Sequence, residues 1–267
     1  MTPVQGTGTT ETSGPSGGSG RGVRWTPESG APAWFGPPER PLFGMVHVPA
    51  DGAARGGAVL CSPLGREDLA VHSAYRALAG RLAGEGLAVV RFDYDGTGNS
   101  SGSASDPDRV AAWGASIGSA VSLLRSTGVR RVALVGMRMG ATLAALEAPS
   151  NDVDALVLWD PCISGRAFLR ELRALHTMSV GEPPTTDGSV QTPGFRFDAP
   201  TVAAMGALDV TKGEGPLAPR LLVLCRPDRP VEGAFEARLR DAGSVDLELA
   251  LGQNGRASCR ERVLCVV

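Results

Sequence analysis

Lysine is nearly missing from this chain of 267 residues: Lys212 stands alone, and arginine carries the rest of the positive charge. With abundant Ala and Gly, that bias reads as GC-rich coding rather than function. The net charge is only −2 and no basic run interrupts it, which argues against a nucleic-acid or membrane-surface binder. No apolar run approaches the roughly 20 residues that a spanning helix needs, and the N-terminus lacks a basic-then-apolar signal pattern. A cytoplasmic location is the expectation. The five cysteines form no C-x-x-C pair, so neither a zinc site nor a redox motif is indicated, and no metal or cofactor is expected. Cys61, Cys162 and Cys225 fall in or just after apolar runs and read as buried small hydrophobes.

What remains is 42% hydrophobic, enough for one sizeable core and one domain. Residues 1–22 are Gly, Ser, Thr and Pro with almost no apolar content, and read as a disordered tail. At the other end "GRASCRERV", Gly255 to Val263, has neither helical nor strand periodicity. It resembles an in-frame translation of a sequencing-adapter oligonucleotide, so residues 255–267 are set aside as an artefactual tail and the native frame is expected to stop near Asn254; an ordinary basic tail is the alternative.

Between these ends strand and helix alternate. Strands are predicted at 41–49, 57–64, 87–94, 131–136, 154–160, 220–225 and 245–251. Helices are predicted at 70–86, 107–126, 139–147, 166–176 and 231–243. Strands apolar on both faces, alternating with helices, imply a mostly parallel sheet covered on both sides. The first strand is expected to run antiparallel at an edge. The irregular insert at about 165–215 falls between two core strands, where it projects over the carboxyl ends of the sheet as a small cap.

One stretch carries the chemistry. "LVGMRMGAT" (134–142) is a strand running into Gly136, then Met137-Arg138-Met139, then Gly140 and Ala141 opening a small-residue helix. The frame is G-x-R-x-G, where serine hydrolases have G-x-S-x-G. Three further pieces follow the same order: "CSPLGRED" (61–68), "RFDYDGTGNSSG" (91–102) and "CRPDRPV" (225–231). Over Phe35 to Leu251 the chain resembles the α/β-hydrolase superfamily, most closely its serine aminopeptidase-like branch. The resemblance implies an α/β-hydrolase fold and a relation to enzymes acting on ester or amide bonds. It puts Arg138 at the nucleophile position and Asp228 at the acid position. The backbone N–H groups of Leu64 and Met139 are placed where an oxyanion would be held. Asn99 stands where an Asp is usual in the D-x-x-G-x-G-x-S loop.

Two of the three triad members are missing. A guanidinium has no usable lone pair and stays protonated, so Arg138 cannot attack. The triad histidine would follow the last strand, whereas His47, His72 and His176 all precede Asp228. Arg138 also sits at a helix N-terminus, where a cation is disfavoured by roughly 0.3–1 kcal/mol and needs a carboxylate or a bound anion. A salt bridge to Asp228 or Asp160 is one answer; an anionic small molecule under the cap is the other. Asp160, ending a strand, and His176, in the cap, are the remaining cleft candidates. Ser62, Ser116 and Ser119 are available hydroxyls without a base in any readable motif. Two functions stay open: a binding module or pseudoenzyme that recognises a small, anionic ligand, and a working hydrolase with an unconventional nucleophile and a histidine lost from its C-terminus.

Overall fold

A computed structural model describes residues 30–181, 185–192, 194–231, 233–240 and 244–249. The proposed N-terminal tail, the proposed artefactual tail and the end of the last predicted strand lie outside them. The main sheet contains β1 (Ala31–Phe35), β2 (Leu42–His47), β3 (Gly56–Cys61), β4 (Leu87–Phe92), β5 (Val132–Met137), β6 (Ala155–Trp159), β9 (Arg220–Cys225) and β10 (Ser244–Leu249). Their spatial order is β1-β2-β4-β3-β5-β6-β9-β10. β1, β2 and β4 pair antiparallel; from β4 through β10 every neighbour is parallel. β2 therefore is antiparallel, but the edge belongs to β1, which the sequence pattern did not reveal. Pro32 lowers its strand signal, and an edge strand is where a proline is tolerated.

Helices cover both faces, as two buried clusters record. On one side α1 (Arg66–Gly84) lays Tyr75, Leu78, Ala79 and Leu82 against β3, β4 and β5. On the other, α2 (Arg109–Ser126) and α3 (Met139–Glu147) bury Trp113, Ile117, Val121 and Leu124 with the small residues Ala141, Ala144 and Ala145. α1 begins four residues before its predicted start because Gly65, at φ 67°, turns the chain and Glu67 and Asp68 favour the positive end of a helix.

Between β6 and β9 the chain makes an excursion through α4 (Gly165–Val180), the hairpin of β7 (Val190–Thr192) and β8 (Phe195–Phe197), and α5 (Ala199–Ala207). It leaves and returns at one place, where Ser164 bridges Asp209. α5 was not predicted, yet "FDAPT" holds its signal: the Asp198 side chain accepts from the Thr201 N–H and Pro200 sits in the first turn. α6 (Gly233–Leu239) follows β9. Among the described residues no helix is long and apolar enough to cross a membrane.

Candidate active site

The elbow is built from tight packing. Cys61 lies beside Gly136 in the sheet register, so the loop after β3 leaves the sheet next to the turn after β5. A Cβ on Gly140 would stand 2.2 Å from the Ser62 carbonyl oxygen and 2.3 Å from that of Cys61; one on Gly136 would stand 2.5 Å from the Ala141 Cα. Only hydrogen fits at either place. Between these glycines Arg138 adopts φ 54°, ψ −123°, a sparsely populated conformation costing about 1–3 kcal/mol for a residue with a side chain. The peptide carbonyl of Arg138 accepts from the N–H groups of Ala141 and Thr142, which closes the first turn of α3.

The Arg138 side chain is buried and meets three carboxylates. Its Nε donates to Glu67 Oε1 at 3.0 Å, its Nη1 to Asp160 Oδ2 at 3.4 Å, and its Nη2 stands 2.9 Å from Glu171 Oε1. Its guanidinium carbon is 6.0 Å from the Phe168 ring centroid. Glu67 comes from the first turn of α1, Asp160 from the end of β6, Glu171 from α4. Glu171 is shared: its Oε2 accepts from Arg229 at 3.1 Å. Burial pulls the Arg138 pKa down, but the acidic groups around it, Cys162, Glu67 and Asp160, outweigh it and hold the guanidinium above its ordinary value. Burial raises Glu67, against the pull of Arg138. Burial also works to raise Glu171, but hydrogen bonds from Arg229 and the charge of Arg138 hold it below the usual carboxylate range.

A cleft of about 370 Å³ opens beside this network. Arg138, Asp160, Glu171 and Arg229 form its charged wall; Ile163, Phe168, Val231 and Phe235 are among its apolar lining. Cys162 and Cys225 also reach it. Burial pushes the Cys162 thiol up to about 12 and raises Cys225 as well, so neither is a thiolate near neutral pH.

Some sequence candidates lie elsewhere. Asp228 does not pair with Arg138; it is exposed and bound by its neighbour Arg226 at 2.9 and 2.6 Å, which lowers its pKa. The side chain that reaches the cleft from this loop is the next one, Arg229. His176 is buried on the other flank of α4, beside Thr185 and Ser189, and its Nδ1 has no hydrogen-bond partner among the described residues; it does not line the Arg138 cleft. Helical phase explains this: five positions separate Glu171 from His176, which puts them on different sides of α4. Leu64 sits buried in the β3–α1 loop and Met139 opens α3. Ser116 is spent on Ala112 and Asp95, and Ser119 faces the separate groove beside Phe35. Sequence reasoning missed Glu67, Glu171 and Arg229. Glu67 carried a local signal, but as a helix-starting acid; no spacing rule pointed Glu171 or Arg229 toward Arg138.

The parallel sheet, the elbow and the cap-like excursion are those of the α/β-hydrolase fold. The family model for serine aminopeptidase matches residues 69–181, from α1 through the elbow to the end of α4. Among solved structures, Est1E from Butyrivibrio proteoclasticus with bound ferulic acid is similar at TM-score 0.62 and 14% identity, over 87% of this chain and 96% of that one. A putative hydrolase from Agrobacterium vitis S4 is similar at TM-score 0.58 and 20% identity, over 88% and 97%. A soluble variant of the Saccharomyces cerevisiae monoglyceride lipase is similar at TM-score 0.60 and 12% identity, over 94% and 97%. No curated protein matches. The chain has the α/β-hydrolase fold. It carries arginine at the summit of the elbow.

Proposed function

We propose that this protein is a non-hydrolytic α/β-hydrolase, a pseudoenzyme whose cleft binds a small molecule and whose Arg138 is paired internally when the cleft is empty. The observation that carries the reading is the three-carboxylate embrace of Arg138 at the elbow. The space where a serine and a histidine would exchange a proton is filled by a guanidinium and its counter-charges. The ester- and amide-hydrolase character of relatives then concerns ancestry of the scaffold rather than the chemistry of this site. Two guanidiniums, Arg138 and Arg229, line the cleft beside Asp160 and Glu171, so an anionic guest is one that takes the place of a carboxylate already there.

The rival reading, a hydrolase with an unconventional nucleophile, is left with Ser164, which lines the cleft without a histidine in that lining, and with Ser62, whose hydroxyl bonds Asp68. The cleft thiols are neutral, and neither Ser116 nor Ser119 faces the cleft. A fluorophosphonate probe tests the choice. The protein stays unlabelled under conditions that fully label a serine esterase. Stoichiometric labelling blocked by heat denaturation would refute the proposal.

A further inference from the structure

Three carboxylates (Glu67, Asp160, Glu171) face two guanidiniums (Arg138, Arg229) at the cleft, one negative charge more than neutrality needs. The three are not equivalent. Glu67 and Asp160 each touch one arginine. Glu171 alone spans both, with one oxygen on each, and alone comes from the excursion between β6 and β9. It therefore ties α4 at once to the elbow and to the loop after β9. Its side chain keeps 28% exposure and that of Arg229 keeps 44%, against 12% for Asp160. Water already reaches the Glu171–Arg229 pair, so breaking it costs little; the Glu171–Arg138 contact is the more buried of the two, and it is the one the ligand carboxylate must replace.

From this arrangement we infer that Glu171 is an internal stand-in for the ligand: a monocarboxylate with an apolar body enters the cleft, takes the place of the Glu171 carboxylate between Arg138 and Arg229, and thereby releases α4. This rests on reading the cleft as a binding rather than a hydrolytic site. Two arginines held about one carboxylate apart define a receptor for that group, since guanidinium forks suit planar carboxylates. When Glu171 withdraws, Glu67 and Asp160 still balance Arg138 and Arg229, so the pocket stays neutral until the ligand enters. The body of the ligand meets Ile163, Phe168, Val231 and Phe235. Leu175 and Met178, 46% and 83% exposed, stand one and two turns beyond Glu171 on its side of α4, so an apolar ridge continues from the cleft into solvent.

The latch predicts an affinity change of unusual sign: deleting a cleft charge tightens binding. Sodium octanoate is titrated calorimetrically into the wild-type chain and into Glu171→Gln, with octanamide as the neutral control. A latch closed nine-tenths of the time lowers the apparent affinity about tenfold, so Glu171→Gln binds octanoate about tenfold more tightly than wild type. Octanamide binds both proteins weakly and alike, and Arg229→Gln loses octanoate. Hydrogen exchange gives a second reading. In the wild type, exchange across residues 165–180 rises when octanoate is added; in Glu171→Gln it is already high without ligand. Octanoate affinity unchanged or weakened in Glu171→Gln, or wild-type exchange unmoved by bound octanoate, overturns the latch. Octanamide binding as well as octanoate, or no binding by either protein, overturns the ligand class. None of these results touches the fluorophosphonate test, which stands or falls separately.

Discussion

The Nε of Arg138 donates to Oε1 of Glu67 at 3.0 Å across 71 positions of sequence, joining the turn after β5 to the first turn of α1. With Asp160 and Glu171 this pairing offsets two unfavourable features of the residue: a cation at a helix N-terminus and a side chain on a positive-φ backbone. Replacing the guanidinium by an apolar side chain of similar length strands Glu67 and Asp160 and leaves Glu171 with Arg229 alone. Arg138→Met is therefore expected to lose about 3 kcal/mol at neutral pH, near the lower bound for breaking a buried pair because Glu67 and Glu171 retain some water. Urea unfolding measures it.

The same substitution has a pH signature. In the wild type, the lowered pKa of Glu171 contributes stability above the ordinary carboxylate value, and that contribution is lost as pH falls through the lowered one. Glu67, raised by burial, acts oppositely and is relieved as pH falls. In Arg138→Met Glu67 loses its counter-charge and Glu171 keeps only Arg229, so the folded-state pKa values of both rise and the variant loses less stability on acidification than the wild type. The gap between the two proteins should narrow between about pH 7 and about pH 4. A gap that stays constant or widens on acidification contradicts the assignment of Glu67 and Glu171 as partners of Arg138.

The fold was legible because its signals are local. Apolar runs gave the core strands, helical spacing gave α1 to α4, and the two glycines flanking Arg138 gave the elbow. β1 escaped because an edge strand with a proline has little apolar signature, and α5 because its cap lay inside a Pro/Gly-rich stretch. The site was legible only at its centre. That Arg138 needs negative partners follows from its charge and position; which carboxylates supply them depends on where α1 and α4 cross the elbow. Asp160 was visible as a strand-end acid. Asp228 was placed by its position after a late strand, and its neighbour Arg226 holds it in solvent instead.

A second ion cluster secures the loop that follows β4. Asp95, 5% exposed, is bound by Arg40 and by the buried Arg109, and Arg40 also reaches Asp106. Hydrogen bonds from Arg40, and secondarily Arg109, hold Asp95 below the usual carboxylate range despite burial. A lowered folded-state pKa gives stability that is present above the unfolded value and lost as pH falls below it. Asp95→Asn should cost about 3 kcal/mol at neutral pH, because it leaves a buried guanidinium without its counter-charge. The variant should also show a shallower loss of stability on acidification than the wild type. Thermal melts at stepped pH test both.

Gly140→Ala tests the packing that forms the elbow. The new methyl would meet the backbone carbonyl oxygens of Cys61, which is held in the β3–β5 pairing, and of Ser62, which accepts from the Tyr94 hydroxyl. Neither can move without disturbing the sheet register or that hydrogen bond. The substitution should cost more than about 3 kcal/mol, as overpacking against immobile groups does, or prevent folding. Gly84→Ala on the open side of α1, where a Cβ meets nothing within 4 Å, is the matched control and should be tolerated.

Arg138→Ser restores the hydrolase frame G-x-S-x-G without restoring a hydrolase. The serine would occupy the strained summit of the turn, close to the first turn of α3, where unpaired N–H groups favour a developing oxyanion. It would still lack a base. His47 is buried and accepts from Arg91 on β4, His72 is exposed on α1, and His176 faces away from the cleft. Glu67 and Asp160 remain near the elbow, but a carboxylate is a much weaker base toward a serine hydroxyl than the imidazole of a triad. Hydrolysis of p-nitrophenyl acetate by Arg138→Ser should not exceed that of the wild type, although the variant also loses stability from its unpaired carboxylates. Sustained turnover above wild type, abolished by a fluorophosphonate, would mean that a proton acceptor stands within reach of position 138, and that the arginine alone keeps this site silent.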